Sequence, residues 1–226
     1  MKKTIFAASA AIALLAAMPA AAQDWYAQIN AGMTVSSEAD VRVDFVSDDD
    51  PAENFDEGAD GDIDNGFAVG AAAGVALGGG LRVEGEFFYT SNDLGGIEEL
   101  DIDDVEMNHA AFFANVLYDF QLGGVSPYIG AGVGYGSTTF DIDGDSVHDE
   151  DTAWQVKAGA TFPVNDSLTI DVGYRYMDMA AWENDFDVDL DEEDDEAGAG
   201  VLGLEFEPTA HAITVGARFK LGGAAS

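Results

Sequence analysis

Three sets of residues could do chemistry in this chain. Asp141-Ile142-Asp143-Gly144-Asp145 puts carboxylates at alternate positions, as in the opening of a calcium loop. Ser146 stands at the sixth position, where such a loop needs glycine, and Thr152 stands at the twelfth, where it needs an acid. Weak binding of divalent cations over several acidic runs is the other reading of the same residues. The second set is ionic. Arg82, Glu84, Glu86, Asp119, Lys157, Asp171, Arg175, Arg218 and Lys220 fall on polar faces of otherwise apolar segments. Charges of both signs on one face either line an ion path or lock together as a salt-bridged plug. The third set is His109, His148 and His211. Hydrolysis would need an activated hydroxyl beside one of them. None has a serine at a persuasive spacing, so no catalytic residue, enzymatic activity or cofactor is expected.

What positions these residues is a pattern of charge. Of 44 acidic residues, 38 fall in four stretches, Ser36–Asn65, Asn92–Asn108, Asp141–Thr152 and Asp178–Thr209. Eight segments between and beside them alternate with period two. They are Trp25–Val35, Gly66–Leu77, Leu81–Ser91, His109–Leu122, Ser126–Phe140, Ala153–Val164, Ser167–Met177 and Ala210–Leu221. Most have the length of a tilted membrane-crossing strand, about 9–11 residues. Short turns, Gly78-Gly79-Gly80, Gly123-Gly124-Val125 and Asn165-Asp166, alternate with the acidic stretches. The fold expected is all-β: an eight-stranded antiparallel up-and-down transmembrane β-barrel with four long acidic extracellular loops.

The start of the chain is a targeting segment. Met1-Lys2-Lys3 is basic, Ile5–Leu15 is apolar and Ala20-Ala21-Ala22 is a cleavage site. Residues 1–22 are therefore expected to be a signal peptide and 23–226 a single barrel domain. There is no cysteine, and the formal net charge is −36. Such a surface repels nucleic acid. A low isoelectric point also fits an acidic proteome. Beyond the leader no apolar stretch approaches 18 residues, so any membrane crossing is made by a closed sheet.

A soluble barrel points its apolar face inward, and a membrane barrel reverses this. Two features favour reversal. Five of the six basic residues after the leader share the polar face with acids. The apolar-face aromatics also sort by height, as membrane interfaces select. Phe67, Tyr89, Phe112, Tyr135, Trp154 and Tyr176 lie near the acidic end, and Trp25, Phe120, Phe162 and Phe219 near the turns. Lumen glycines such as Gly70, Gly74, Gly130, Gly132, Gly134 and Gly136 leave room for a water-filled crevice.

Several runs resemble one family. PYIGAGVGY at Pro127–Tyr135, VGYRYMD at Val172–Asp178, ITVGARF at Ile213–Phe219 and NVLYDF at Asn115–Phe120 are similar to strands of OmpA-like and opacity-type outer-membrane β-barrels. The resemblance implies insertion by the barrel-assembly machinery, with periplasmic chaperones on the way. It implies contact with outer-membrane lipid and lipopolysaccharide in a Gram-negative envelope, as a monomer. It also implies a non-enzymatic structural or surface role, with a narrow porin as the alternative; the acidic runs themselves raise a further reading, a cation-dependent adhesin. Cations held by the loops would bridge them to lipopolysaccharide phosphates. Phe219 is followed by Lys220–Ser226, whereas family strands commonly end on the aromatic, and a chain stopping at Ser226 leaves no room for a wall-binding domain.

Overall fold

The computed structural model describes residues 24–47, 55–63, 65–93, 105–142, 145–179, 182–190 and 198–221. Side chains are described for these except at 36–41, 43–47, 55–63, 93, 105, 140–149, 182–190 and 198–207. The expected leader, 1–22, lies outside the described residues. The chain forms β1 (Asp24–Ser47), β2 (Phe55–Ile63), β3 (Phe67–Gly78), β4 (Leu81–Asp93), β5 (Val105–Asp119), β6 (Ser126–Ile142), β7 (Asp145–Pro163), β8 (Leu168–Asp178), β9 (Trp182–Leu190) and β10 (Gly198–Lys220).

Eight of these, β1, β3 to β8 and β10, pair in antiparallel order, and β1 closes on β10. The result is an eight-stranded closed barrel. The tight turns form where the glycines are. Gly78, Gly79 and Gly80 have φ of 84°, 61° and 91°, a conformation that side-chain-bearing residues rarely adopt. Asn165 makes the third turn by a different device. Its Oδ1 accepts from the backbone N–H of Ser167 at 2.9 Å and of Leu168 at 3.0 Å.

Strand backbone continues into the acidic stretches, which were expected to be loops. β1 runs twelve residues beyond its expected end at Val35, and β10 begins twelve before Ala210. Their distal halves pair with each other from Ser36↔His211 to Ser47↔Gly200. β2 adds to the other edge of β1, from Ser37↔Ile63 to Phe45↔Phe55. β9 adds to β10, from Phe206↔Trp182 to Gly198↔Leu190. A four-stranded sheet, β2-β1-β10-β9, thus rises from one side of the barrel rim.

A single irregularity joins this sheet to the barrel. Thr34 pairs with Ala212 and Ser36 with His211, so Val35 is an extra residue on β1. Below it, Tyr26, Gln28, Asn30 and Thr34 are buried in the lumen, while Ile29, Met33 and Val35 are exposed on the outer wall. Above it, the phase of β1 is reversed. Ala39, Val41, Val43 and Phe45 share rows with Pro208, Phe206, Leu204 and Leu202, in phase with buried Ala210. Glu38, Asp40 and Asp44 share rows with Thr209, Glu207 and Gly203, in phase with the outer wall. The wall is apolar outside in the barrel, and its sequence pattern inverts beyond Val35.

Candidate functional site

The interior is built in layers. At the turn-end rim, Lys220 Nζ meets Asp24 at 2.9 Å, both in solvent and apart from the ions above. The next layer centres on Arg82. Its Nε and Nη2 donate to the two oxygens of Asp119 at 2.7 and 2.9 Å, a bidentate clasp between β4 and β5. Its Nη1 donates to Tyr26 Oη at 3.1 Å, and Tyr26 in turn donates to Glu84 at 2.7 Å. Across the lumen, Arg218 donates to Asp171 at 3.2 Å and to Gln28 at 3.0 Å, while Tyr128 donates to Asp171 at 3.1 Å.

The centre is a pair of glutamates two residues apart on β4, hence on one face. Lys157 Nζ lies between them, 2.9 Å from Glu84 and 3.0 Å from Glu86. Glu86 also accepts from Arg175 at 2.7 Å, Asn115 at 2.9 Å, Gln155 at 3.0 Å and Asn30 at 3.2 Å. Gln155 and Arg175 are joined at 3.0 Å. Glu84, Glu86, Lys157 and Arg175 are all buried. Each buried charge has at least one opposite partner, the condition under which ions are tolerated away from water.

The inward glycines do not leave a gap. A Cβ on Gly74 would lie 2.5 Å from the Tyr26 ring, and one on Gly130 would lie 2.7 Å from Leu117. Asn115 occupies the space over Gly132, and Tyr128 that over Gly159 and Gly173. Large side chains from neighbouring strands therefore take the volume the glycines give up. An eight-stranded bore is about wide enough for side chains to fill it.

Above the ions the lumen turns apolar. Ala68, Phe88, Met107, Ala111, Phe113, Ala153, Met177, Met179 and Ala210 form one buried cluster. The alternating pattern hid this layer, because apolar residues there occupy both faces. Phe87-Phe88 and Phe112-Phe113 are the signals that could have revealed it. Beside it, His109 Nδ1 pairs with Thr138 Oγ1 at 3.1 Å and His109 Nε2 has no partner.

The outer wall carries the aromatics. Phe67 and Tyr89 lie 5.9 Å apart between ring centres, and Trp154 and Tyr176 5.4 Å. Phe112 packs on Phe87 at 4.9 Å, and Phe120 on Tyr118 at 5.1 Å. Trp25, Tyr135, Phe162 and Phe219 also lie on this wall, half-buried or exposed. An apolar hollow of about 570 Å³ between Leu81, Val116, Ile129, Val156 and Tyr174 offers no polar chemistry. His211, Tyr174 and Tyr176 form a cluster that the sequence reading did not single out: Tyr176 and His211 rings lie 5.0 Å apart, and Tyr174 Oη bonds His211 Nδ1.

The calcium candidate falls on the β6–β7 hairpin tip. Asp143 is outside the described residues, and so are the side chains of Asp141 and Asp145. Asp141 pairs with Ser146 and Ile142 with Asp145, so Asp141 and Asp145 stand in adjacent rows of the hairpin. Among the described residues no three His, Cys, Asp or Glu gather as metal ligands.

The chain is similar to proteins of solved structure. Neisserial surface protein A is 18% identical with a TM-score of 0.50, over 87% of this chain and 97% of its own. OprG of Pseudomonas aeruginosa is 16% identical with a TM-score of 0.49, over 88% and 97%. No curated protein matches the chain. Residues 7–219 match the outer membrane protein beta-barrel domain family. The chain belongs to that family, and its place is the outer membrane of a Gram-negative bacterium.

Proposed function

We propose that this barrel is a closed, non-enzymatic envelope protein that carries an acidic, partly sheet-like surface outside the cell. The observation that carries this reading is the lumen. Arg82, Lys157, Arg175 and Arg218 each meet a carboxylate, and Tyr26, Tyr128, Leu117 and Asn115 fill the space over the glycines. A bore filled in this way has no continuous water column for ions. His109 and its partner Thr138 are both buried in the lumen, out of reach of a substrate, which supports a non-enzymatic reading. The short turns then face the periplasm, and β2 and β9 stand outside. The aromatics at the two heights mark the two interfaces. Residues 1–22 direct export, and chaperones and the assembly machinery deliver the monomer. The test is planar-bilayer recording of refolded protein at neutral pH. Silence is expected, and steady conductance would favour the narrow porin instead.

One observation favours a second reading, a cation-dependent surface adhesin. Asp60, Asp40 and Glu207 share one row across β2, β1 and β10, and Asp56 and Asp44 share another. Like charges directly opposite destabilise a sheet. Divalent cations would relieve that repulsion and bridge to lipopolysaccharide phosphate. Calcium titration by calorimetry tests it, and no heat would remove it.

A further inference from the structure

We propose that the loop end of the lumen holds a binding site for a single copper(I) ion, with His109 Nε2 and the thioethers of Met107, Met177 and Met179 as its ligands. Composition points there first. Four methionines lie beyond residue 22, and three of them belong to the buried apolar cluster. The fourth, Met33, is exposed on the outer wall. His109 is the one histidine buried in the lumen among the described residues. Its inward neighbours on β5 are Met107 and Ala111, two residues to either side, and both are members of the cluster.

The imidazole is oriented for the task. Its Nδ1 meets Thr138 Oγ1 at 3.1 Å. With Nδ1–H donating, the Nε2 lone pair is bare, and that is the tautomer a metal takes. Thr138 stands in the row of His109, and Gly136 in the row of Ala111. A Cβ on Gly136 would lie 2.6 Å from Cε1 of the ring and 3.0 Å from Nε2. The Nε2 edge thus leans away from the rim and toward the cluster. There it has no hydrogen-bond partner and is closed to water. Methionine by itself is ordinary filling for an irregular core. A dry, unpaired nitrogen set among methionines is not, because leaving it so is costly.

Donor chemistry names the ion. Thioether sulfur with imidazole suits copper(I). Calcium takes oxygen ligands throughout, and zinc takes a set of Cys, His or acid that does not gather among the described residues. A hydrated ion or an organic ligand would need open space beside Nε2, and a nitrogen closed to water borders none. A bare ion asks only that the sulfurs swing toward it, and methionine has three rotatable bonds for that. Met107 lies two residues from the start of β5, and Met179 just past the end of β8. The ligands therefore begin at the loop-end rim, where an ion would enter.

The test uses the full barrel refolded in micelles, with excess calcium present to occupy the acidic surface. Copper(I), kept reduced with ascorbate, is titrated against a chromophoric copper(I) chelator. Methionine methyl carbons and imidazole nitrogens are followed by NMR. One equivalent should bind, moving the methyl signals of Met107, Met177 and Met179 and the Nε2 signal of His109, while Met33 stays in place. Zinc should leave all of these signals where they are. Thr138→Val keeps the shape but removes the acceptor for Nδ1–H, and should weaken binding about tenfold. His109→Phe and Met177→Leu should weaken it further. An unmoved Nε2 signal, movement of Met33 along with the lumen methionines, or equal affinity in His109→Phe overturns the site. An equal response to zinc overturns the copper assignment. If His109→Phe fails to fold, the wild-type NMR series and Met177→Leu decide. Steady conductance in bilayers would sink the closed-bore reading and leave this result unaffected.

Discussion

The Arg175 guanidinium carbon lies 3.6 Å from the centre of the Phe88 ring. The same guanidinium donates to Glu86 below, and Phe88 belongs to the apolar cluster above. This stacked pair is the border between two kinds of interior, an ionic layer near the turns and an apolar layer near the acidic end. Cation–π contact away from water is worth about 2 kcal/mol, which helps anchor the ions where they meet the apolar layer.

Glu86 is the most heavily used acceptor at that border. Glu86→Ala strands Lys157 and Arg175 with fewer carboxylates and should cost about 3–5 kcal/mol. Urea unfolding in detergent, followed by tryptophan fluorescence, measures it. A loss below about 1 kcal/mol would mean the network is not holding the barrel together.

Lys157 neutralises two carboxylates at once. Lys157→Glu places a third acid beside Glu84 and Glu86, which must then separate or recruit cations. Brief cation-selective openings are expected in planar bilayers where the native barrel is silent. A silent variant would show that the aromatic filling closes the bore without help from the ions.

Gly74 makes room for Tyr26. Gly74→Ala pushes the phenol ring, and with it the Arg82 and Glu84 contacts, off position. Overpacking of this kind costs about 1–3 kcal/mol. A lowered urea midpoint with an unchanged slope is the expected sign.

Arg42 is the described basic residue beyond the barrel rim. Its backbone is paired on both sides, with Gly58 and with Glu205. Trypsin added to intact cells should therefore spare it. Deleting Val35 lets Ser36 follow Thr34 in unbroken alternation against β10, so the distal rows keep their phase and partners. Protection of Arg42 should therefore survive the deletion, and cleavage after Arg42 in the variant would show that the bulge itself holds the outer sheet in place. Cleavage of the native protein at Arg82 or Lys157 would invert the proposed topology.

The barrel was readable because lipid and lumen impose opposite demands on alternate residues. Val156, Ala158 and Phe162 against Gln155, Lys157 and Thr161 could be sorted without a structure. β9 was not read as a strand although Trp182, Asn184, Phe186, Val188 and Leu190 alternate with Glu183, Asp185, Asp187 and Asp189. Density of charge there masked a period of two. The inward glycines were read as space, because what fills a gap depends on the neighbouring strand. Tyr26 reaches Gly74 only through the β1–β3 register. The ions could be assigned to a common face, but their partners could not. Lys157 and Glu84 are 73 residues apart and meet across the bore.

The surplus residue at Val35 acts as a depth mark. Strands climb about 3.3 Å per residue, so moving that one insertion two positions along β1 would raise or lower the upper limit of the greasy girdle there by roughly 7 Å. A lineage living with a thicker or thinner bilayer could retune its fit by relocating a single amino acid, leaving every other strand untouched.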